Sequence, residues 1–153
     1  MSIKDKFKVE LESIHKSLIE VSDWMYENPE LGFEEYKTSE YLVNFIKSFQ
    51  DNVVFPTGEL ETAFEITFGK EGPLVVLCVE YDALPEIGHA CGHNVIATAS
   101  IGAGLALRNF VNDLGIRVKL LGTPAEEGGG GKIILLDRGA FEDAKCSMMI
   151  HPG

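Results

Sequence analysis

The sequence predicts an α/β fold, with a mixed, mostly parallel sheet as the middle of three layers and helices on both faces. Three observations carry this. Leu74-Val75-Val76-Leu77-Cys78-Val79 is a short unbroken apolar run rich in valine, the pattern of a strand buried on both faces. Around it, strand-like segments alternate with segments whose apolar residues recur every three or four positions. Finally, three strand segments run straight into residues able to bind metal or move protons: residues 82–93, Glu126-Glu127 and His151. If those strands are parallel, right-handed β-α-β connections bring the three groups to one sheet edge. That is the edge where open parallel sheets bind ligands.

Leu11, Ile14, Leu18, Val21 and Met25 form one apolar helix face. Asn28-Pro29-Glu30-Leu31-Gly32 ends that helix, because proline and glycine interrupt the pattern. A second helix starts near Glu34, with Leu42, Phe45, Ile46 and Phe49 on one side. After the Phe55-Pro56-Thr57-Gly58 turn, Phe64, Ile66 and Phe68 alternate with Glu65 and Thr67 as a half-buried strand. The Gly-rich loop 69–73 joins it to the central strand, and the spacing predicts a hairpin between the two.

Residues 95–107 are rich in Ala, Gly and Ser, which lets a helix sit close against a sheet, with Asn94 as the expected N-cap. Ile116, Val118, Leu120 and Leu121 form the next strand. A short helix over residues 132–138 ends at Gly139, a natural C-cap. Residues 146–150 form a last short apolar strand.

The composition narrows the functional classes. A chain of 153 residues with 45% apolar content supports one folded domain. The formal net charge of -11 excludes nucleic acid as a partner, since phosphate binding needs clustered Lys and Arg. An acidic field gathers metal cations instead. The charged start of the chain has no secretory h-region, and no apolar run approaches membrane-spanning length. Three cysteines, an odd number, fit reduced thiols in the cytoplasm.

Residues 80–94, E-Y-D-A-L-P-E-I-G-H-A-C-G-H-N, concentrate the chemistry. Cys91 and His93 form a C-x-H pair in a Gly-flanked loop, and thiolate with imidazole suits zinc and its neighbours. The pair alone is a weak signal; Glu126-Glu127 and His151 strengthen it, because catalytic metal sites mix histidine and carboxylate ligands. Adjacent glutamates are ordinarily two solvated charges. These follow a strand and a proline and precede four glycines, where one can ligate a metal and the other serve as general base.

Gly128 to Lys132 also invites a phosphate-loop reading, but Glu126 and Ile133 stand where that pattern needs glycine and Ser or Thr. Cys91 as a nucleophile with His89 or His93 as its base leaves Glu126, Glu127 and His151 unexplained. Cys78 and Cys146 read as core residues within apolar strands, and His15 as a solvated residue on a charged helix face.

At these residues the sequence resembles the zinc-type metallopeptidases that include carboxypeptidase G and the aminoacylases. More narrowly it resembles the amidohydrolase branch with hippurate, auxin-conjugate and aminobenzoyl-glutamate hydrolases. The matching segments are Asn28-Pro29-Glu30-Leu31-Gly32 with Glu34-Glu35, Tyr81-Asp82-Ala83-Leu84-Pro85, His89-Ala90-Cys91-Gly92-His93, Pro124-Ala125-Glu126-Glu127-Gly128 and His151-Pro152. Asn94-Val95-Ile96 after His93 favours the aminobenzoyl-glutamate hydrolase and dipeptidase-like subgroup.

The resemblance implies a zinc-exopeptidase-like fold, present here in part. Residues 1–153 correspond to the N-terminal portion of the catalytic domain, without the lid, which carries the homodimer contacts, and without the C-terminal catalytic segment. It implies two divalent metals (Zn, Mn, Co or Ni). Cys91 bridges them, His93 and His151 complete one, and Glu127 ligates the other. Glu126 is the general base and Asp82 orients the site. The implied reaction is amide hydrolysis in a small N-acyl amino acid or dipeptide-like substrate, expected to be impaired in this chain because the second metal lacks a ligand. A non-catalytic metal-binding or partner-binding fragment keeps the same ligands and stays open as the other class.

Overall fold

The computed structural model describes residues 1–152. In chain order the elements are α1 (Ile3–Glu27), α2 (Tyr36–Lys47), β1 (Phe64–Phe68), β2 (Leu74–Val79), α3 (His93–Leu107), β3 (Arg117–Gly122), α4 (Gly131–Asp137) and β4 (Ala144–Met148). The sheet order is β1-β3-β2-β4. β2 runs parallel to both β3 and β4, and β1 is antiparallel to β3. The central apolar run is thus an interior strand, as its composition predicts.

The expected hairpin between β1 and β2 does not form. β3 lies between them, because β2 takes a parallel partner on each edge and displaces β1 to the outside of β3. The loop over residues 69–73 crosses the start of β3 and is pinned there. The Arg117 amide donates to the Pro73 carbonyl at 2.9 Å, and Arg117 Nε donates to Gly72 O at 3.0 Å.

Side-chain alternation in the strands divides the core in two. Leu77 and Val79 of β2, Val118 and Leu120 of β3 and all three phenylalanine and isoleucine positions of β1 join α1, α2 and α3 in one large cluster. Leu74, Val76 and Cys78 of β2 and Leu121 of β3 face the other way, against Leu135 of α4. On the large side Ile14, Leu18, Val21 and Met25 of α1 are buried, the face read from their spacing. Gly139, with φ +78°, follows the end of α4 as the expected left-handed stop.

Two local expectations change. α3 begins at His93, two residues earlier than expected, because Gly92 at φ +86° supplies the turn into the helix. Asn94 is released from capping and donates from Nδ2 to Ser22 Oγ of α1 at 3.0 Å. Cys146 is exposed and not a core residue. β4 is the outer strand beside β2, and seven-residue α4 is too short to cover it.

The topology positions a site. α3 leads out of β2 on the large-cluster face, and α4 leads out of neighbouring β3 on the opposite face. Connections that diverge from adjacent parallel strands open a crevice at the strands' carboxyl ends.

Candidate metal centre

The chain leaves β2 through Glu80, Tyr81 and Asp82, all buried, and returns at His93, the first residue of α3 and fully buried. The loop is held from the side, with the Ala83 amide donating to Glu30 O at 2.7 Å. His93 Nδ1 lies 2.8 Å from the Asp82 carbonyl oxygen and 2.9 Å from Asp82 Oδ1. Two acceptors at Nδ1 assign the ring proton there and turn Nε2 toward the crevice.

Nε2 has no hydrogen-bond partner, and neither does Glu80 Oε2, 3.4 Å away. Glu126 Oε2 is 3.8 Å and Glu127 Oε1 3.9 Å from the same nitrogen. Burial on its own pulls the His93 ring down, but the Asp82 contacts more than offset it and leave the ring above its ordinary value.

The other half of the site leaves β3. Thr123 is tied to the exit of β2 through its amide, which donates to Val79 O at 2.8 Å. Ala125 takes φ +53°, and its amide donates to Oε1 of fully buried Glu35 at 2.8 Å. Glu35 Oε2 accepts from Thr62 Oγ1 at 3.0 Å. Burial raises the Glu35 carboxyl, with these hydrogen bonds only partly opposing it. The next residues are Glu126 and Glu127, both exposed.

The Glu127 amide donates to Asp82 Oδ2 at 2.9 Å, so one carboxylate fixes both halves of the site. Burial raises the Asp82 carboxyl, but His93 and the Glu127 amide outweigh it and hold it below its usual range. At Gly131 a Cβ would collide with the Pro124 carbonyl, so only glycine lets α4 start this close to the strand exit. The next residue, Lys132, pairs its ammonium with Glu80 Oε1 and lies 3.9 Å from Glu126 Oε1.

Ligand atoms of Cys91, His93 and Glu127 lie within 4.8 Å of one another, as do those of Glu80, His93 and Glu126. The first set joins three of the four residues expected as ligands. His151 stands outside it, exposed, with Nδ1 2.7 Å from Pro152 O. The tail nevertheless passes the site, since a Cβ on Gly92 would lie 2.6 Å from Pro152 Cγ.

The donors suit a cation. A lone pair on Nε2 facing three carboxylates is repulsive unless positive charge sits among them. Thiolate, imidazole and carboxylate are a zinc-type set. A cysteine nucleophile fits poorly. Burial pushes the Cys91 thiol up, and the Glu127 and Asp82 carboxylates push the same way.

Sequence reading missed three supporting residues. Glu35 appears there only within a matching segment, Lys132 only as a phosphate-loop lysine, and Glu80 without a role. Glu80 sits directly at the end of the apolar strand, which was the available signal. His89 is also buried, and burial lowers its ring below the ordinary value; neither ring nitrogen has a partner.

No protein-family model matches the chain. It is 30% identical to a p-aminobenzoyl-glutamate hydrolase subunit from Escherichia coli over 93% of its own length and 34% of the relative's. It is 41% identical to Xaa-Arg dipeptidase of Mus musculus over 81% of its length and 32% of the relative's. Among solved structures it superposes on a dinuclear metal-binding peptidase of the M20 family from Bacillus subtilis with a TM-score of 0.79. That match is 25% identical and covers 89% of this chain and 42% of the other. The chain belongs to the M20 family of amidohydrolases and peptidases, and it spans about a third of the length of these curated relatives. Among the described residues no helix is long and apolar enough to cross a membrane.

Proposed function

We propose that this chain carries part of the catalytic machinery of a metal-dependent amidohydrolase, acting on the amide bond of a small N-acyl amino acid or dipeptide-like substrate. Residues 1–153 are, in this reading, the N-terminal portion of the catalytic domain. The observation that carries it is buried His93, whose partnerless Nε2 faces Cys91 and Glu127. The dinuclear metal-binding relative and the aminobenzoyl-glutamate and dipeptide hydrolases support the same chemistry.

Cys91, His93 and Glu127 hold divalent metal, with His151 joining them once its tail closes over the Cys91 loop. Bound there, divalent metals supply Lewis-acid activation of the amide carbonyl and of the attacking water. The protein residues do the rest. Asp82 holds His93 in the tautomer that points Nε2 inward. Glu126, exposed beside the ligands, accepts the proton of the attacking water and delivers it to the leaving nitrogen. The Glu35 carboxylate keeps the turn before Glu126 in its left-handed conformation. Three unpaired cysteines support a reducing, cytoplasmic compartment.

A second reading, metal binding without turnover, is favoured by the exposed position of His151 outside the ligand group. The two are separated by elemental analysis run beside a hydrolysis panel of aminobenzoyl-glutamate, N-acyl amino acids and dipeptides with added Mn²⁺ or Zn²⁺. Glu126→Gln abolishes turnover and leaves metal content intact if Glu126 is the base. Metal without turnover, both in this chain and in a full-length parent that contains it, selects the second reading. A chain that takes up no metal sinks both.

A further inference from the structure

The two candidate ligand groups share one atom. His93 belongs to both the Cys91–His93–Glu127 and the Glu80–His93–Glu126 sets, and its Nε2, 3.4 Å from Glu80, 3.8 Å from Glu126 and 3.9 Å from Glu127, serves one metal at a time. Something must decide between them. The second set already holds a cation, because the Lys132 ammonium pairs with Glu80 Oε1 and stands 3.9 Å from Glu126 Oε1. Glu80 is buried at 1% exposure, so it needs a counter-charge whether or not metal is bound. Lys132 reaches it from the first turn of α4, at the position fixed by the close approach of Gly131 to Pro124.

We infer that Lys132 is a positioning residue: its ammonium fills the Glu80–Glu126 position as a resident cation and so directs metal to the thiolate-containing set. This rests on the metal reading of Cys91, His93 and Glu127 given above. A fixed ammonium disfavours a second cation there by charge: it neutralises Glu80 from Oε1 and stands near Glu126 Oε1, while Glu80 Oε2 still faces His93 Nε2 at 3.4 Å. It also leaves Glu126 free of a metal, as a base must be.

Cobalt(II) alone is the probe, titrated into the full chain, because a cobalt–thiolate bond gives a charge-transfer absorption and a purely carboxylate–imidazole site gives none. The wild-type chain develops the thiolate band as cobalt binds. In Lys132→Met the band per bound cobalt falls about twofold, as expected when two positions of similar affinity compete for one ligand. Lys132→Arg keeps the charge and the wild-type intensity, and the double variant Glu80→Gln with Lys132→Met restores it by removing the competing ligand. A Lys132→Met chain with wild-type intensity per cobalt overturns the inference and leaves the metal reading standing. A wild-type chain that binds cobalt without any thiolate band overturns the metal reading itself. Should Lys132→Met fail to fold, Lys132→Gln, whose amide can still donate to Glu80, is read by the same criterion.

Discussion

The two faces of the sheet are built differently. On one, three helices and the inward side chains of β1, β2 and β3 form a wide apolar cluster, with stacked Trp24 and Tyr41 rings 4.1 Å apart between α1 and α2. On the other, short α4 places Leu135 on a small patch and leaves β4 exposed, beside a cavity of about 410 Å³ lined in part by Ile133, Leu136 and Cys146. The candidate site straddles this divide. Asp82 and His93, between β2 and α3, are buried and cross-braced, whereas Glu126, Glu127 and His151 lie on exposed segments at the exits of β3 and β4. One half of the ligand set is therefore preorganised by the core, and the other depends on single hydrogen bonds such as Glu127 N to Asp82 Oδ2. In the proposed site, metal affinity would rest on the rigid half and its completion on the exposed half.

The difference is sharpest in core truncation. Leu120→Ala, in the large cluster, is expected to cost about 4–5 kcal/mol, and Leu135→Ala, on the thin face, about 2–3 kcal/mol. Urea denaturation of both variants checks this, and equal losses would erase the contrast between the faces.

Metal acts next. Divalent metal at about 100 times its dissociation constant should stabilise the chain by about 2.7 kcal/mol, a gain reversed by a chelator. His93→Ala should abolish that gain. If His151→Ala abolishes it equally, the exposed half contributes as much to binding as the buried half.

Glu35 tests the brace between the halves. Glu35→Ala strands the buried Ala125 amide and should cost about 1–3 kcal/mol. Glu35→Gln keeps an acceptor for that amide and separates geometry from charge. The Glu35 carboxyl is raised above its ordinary 4.5, so the fold favours its protonated form. Its contribution is complete below that ordinary value and is lost as pH rises through the higher folded value. Glu35→Gln, neutral throughout, should therefore gain stability relative to wild type as pH rises above the ordinary value of 4.5. A constant difference as pH rises would show that the buried carboxyl keeps its ordinary proton affinity.

The smallest effect belongs to the uncovered strand. Met148→Lys on β4 should change stability by less than about 0.5 kcal/mol, since Met148 is already 51% exposed. A larger loss would mean that β4 is covered in solution.

Local pattern alone determined much of this protein. The spacing of Ile14, Leu18, Val21 and Met25 marked the buried face of α1, and the unbroken run over residues 74–79 marked an interior strand, because burial on one face or two imposes a period that side chains must obey. The identities of Cys91, His93 and Glu127 pointed to one candidate ligand group, and the fold brings their ligand atoms within 4.8 Å of one another. Tertiary structure decided what distance along the chain does not encode. It placed β3 between β1 and β2 where loop length suggested a hairpin, since strand order follows from which edges are buried. It left Cys146 in solvent because no helix covers β4. It gave Glu35, Glu80 and Lys132 their places around the site, where they meet residues far away in sequence. Those roles are electrostatic: a buried carboxylate needs an opposing charge or donor, and only the fold brings that partner within reach.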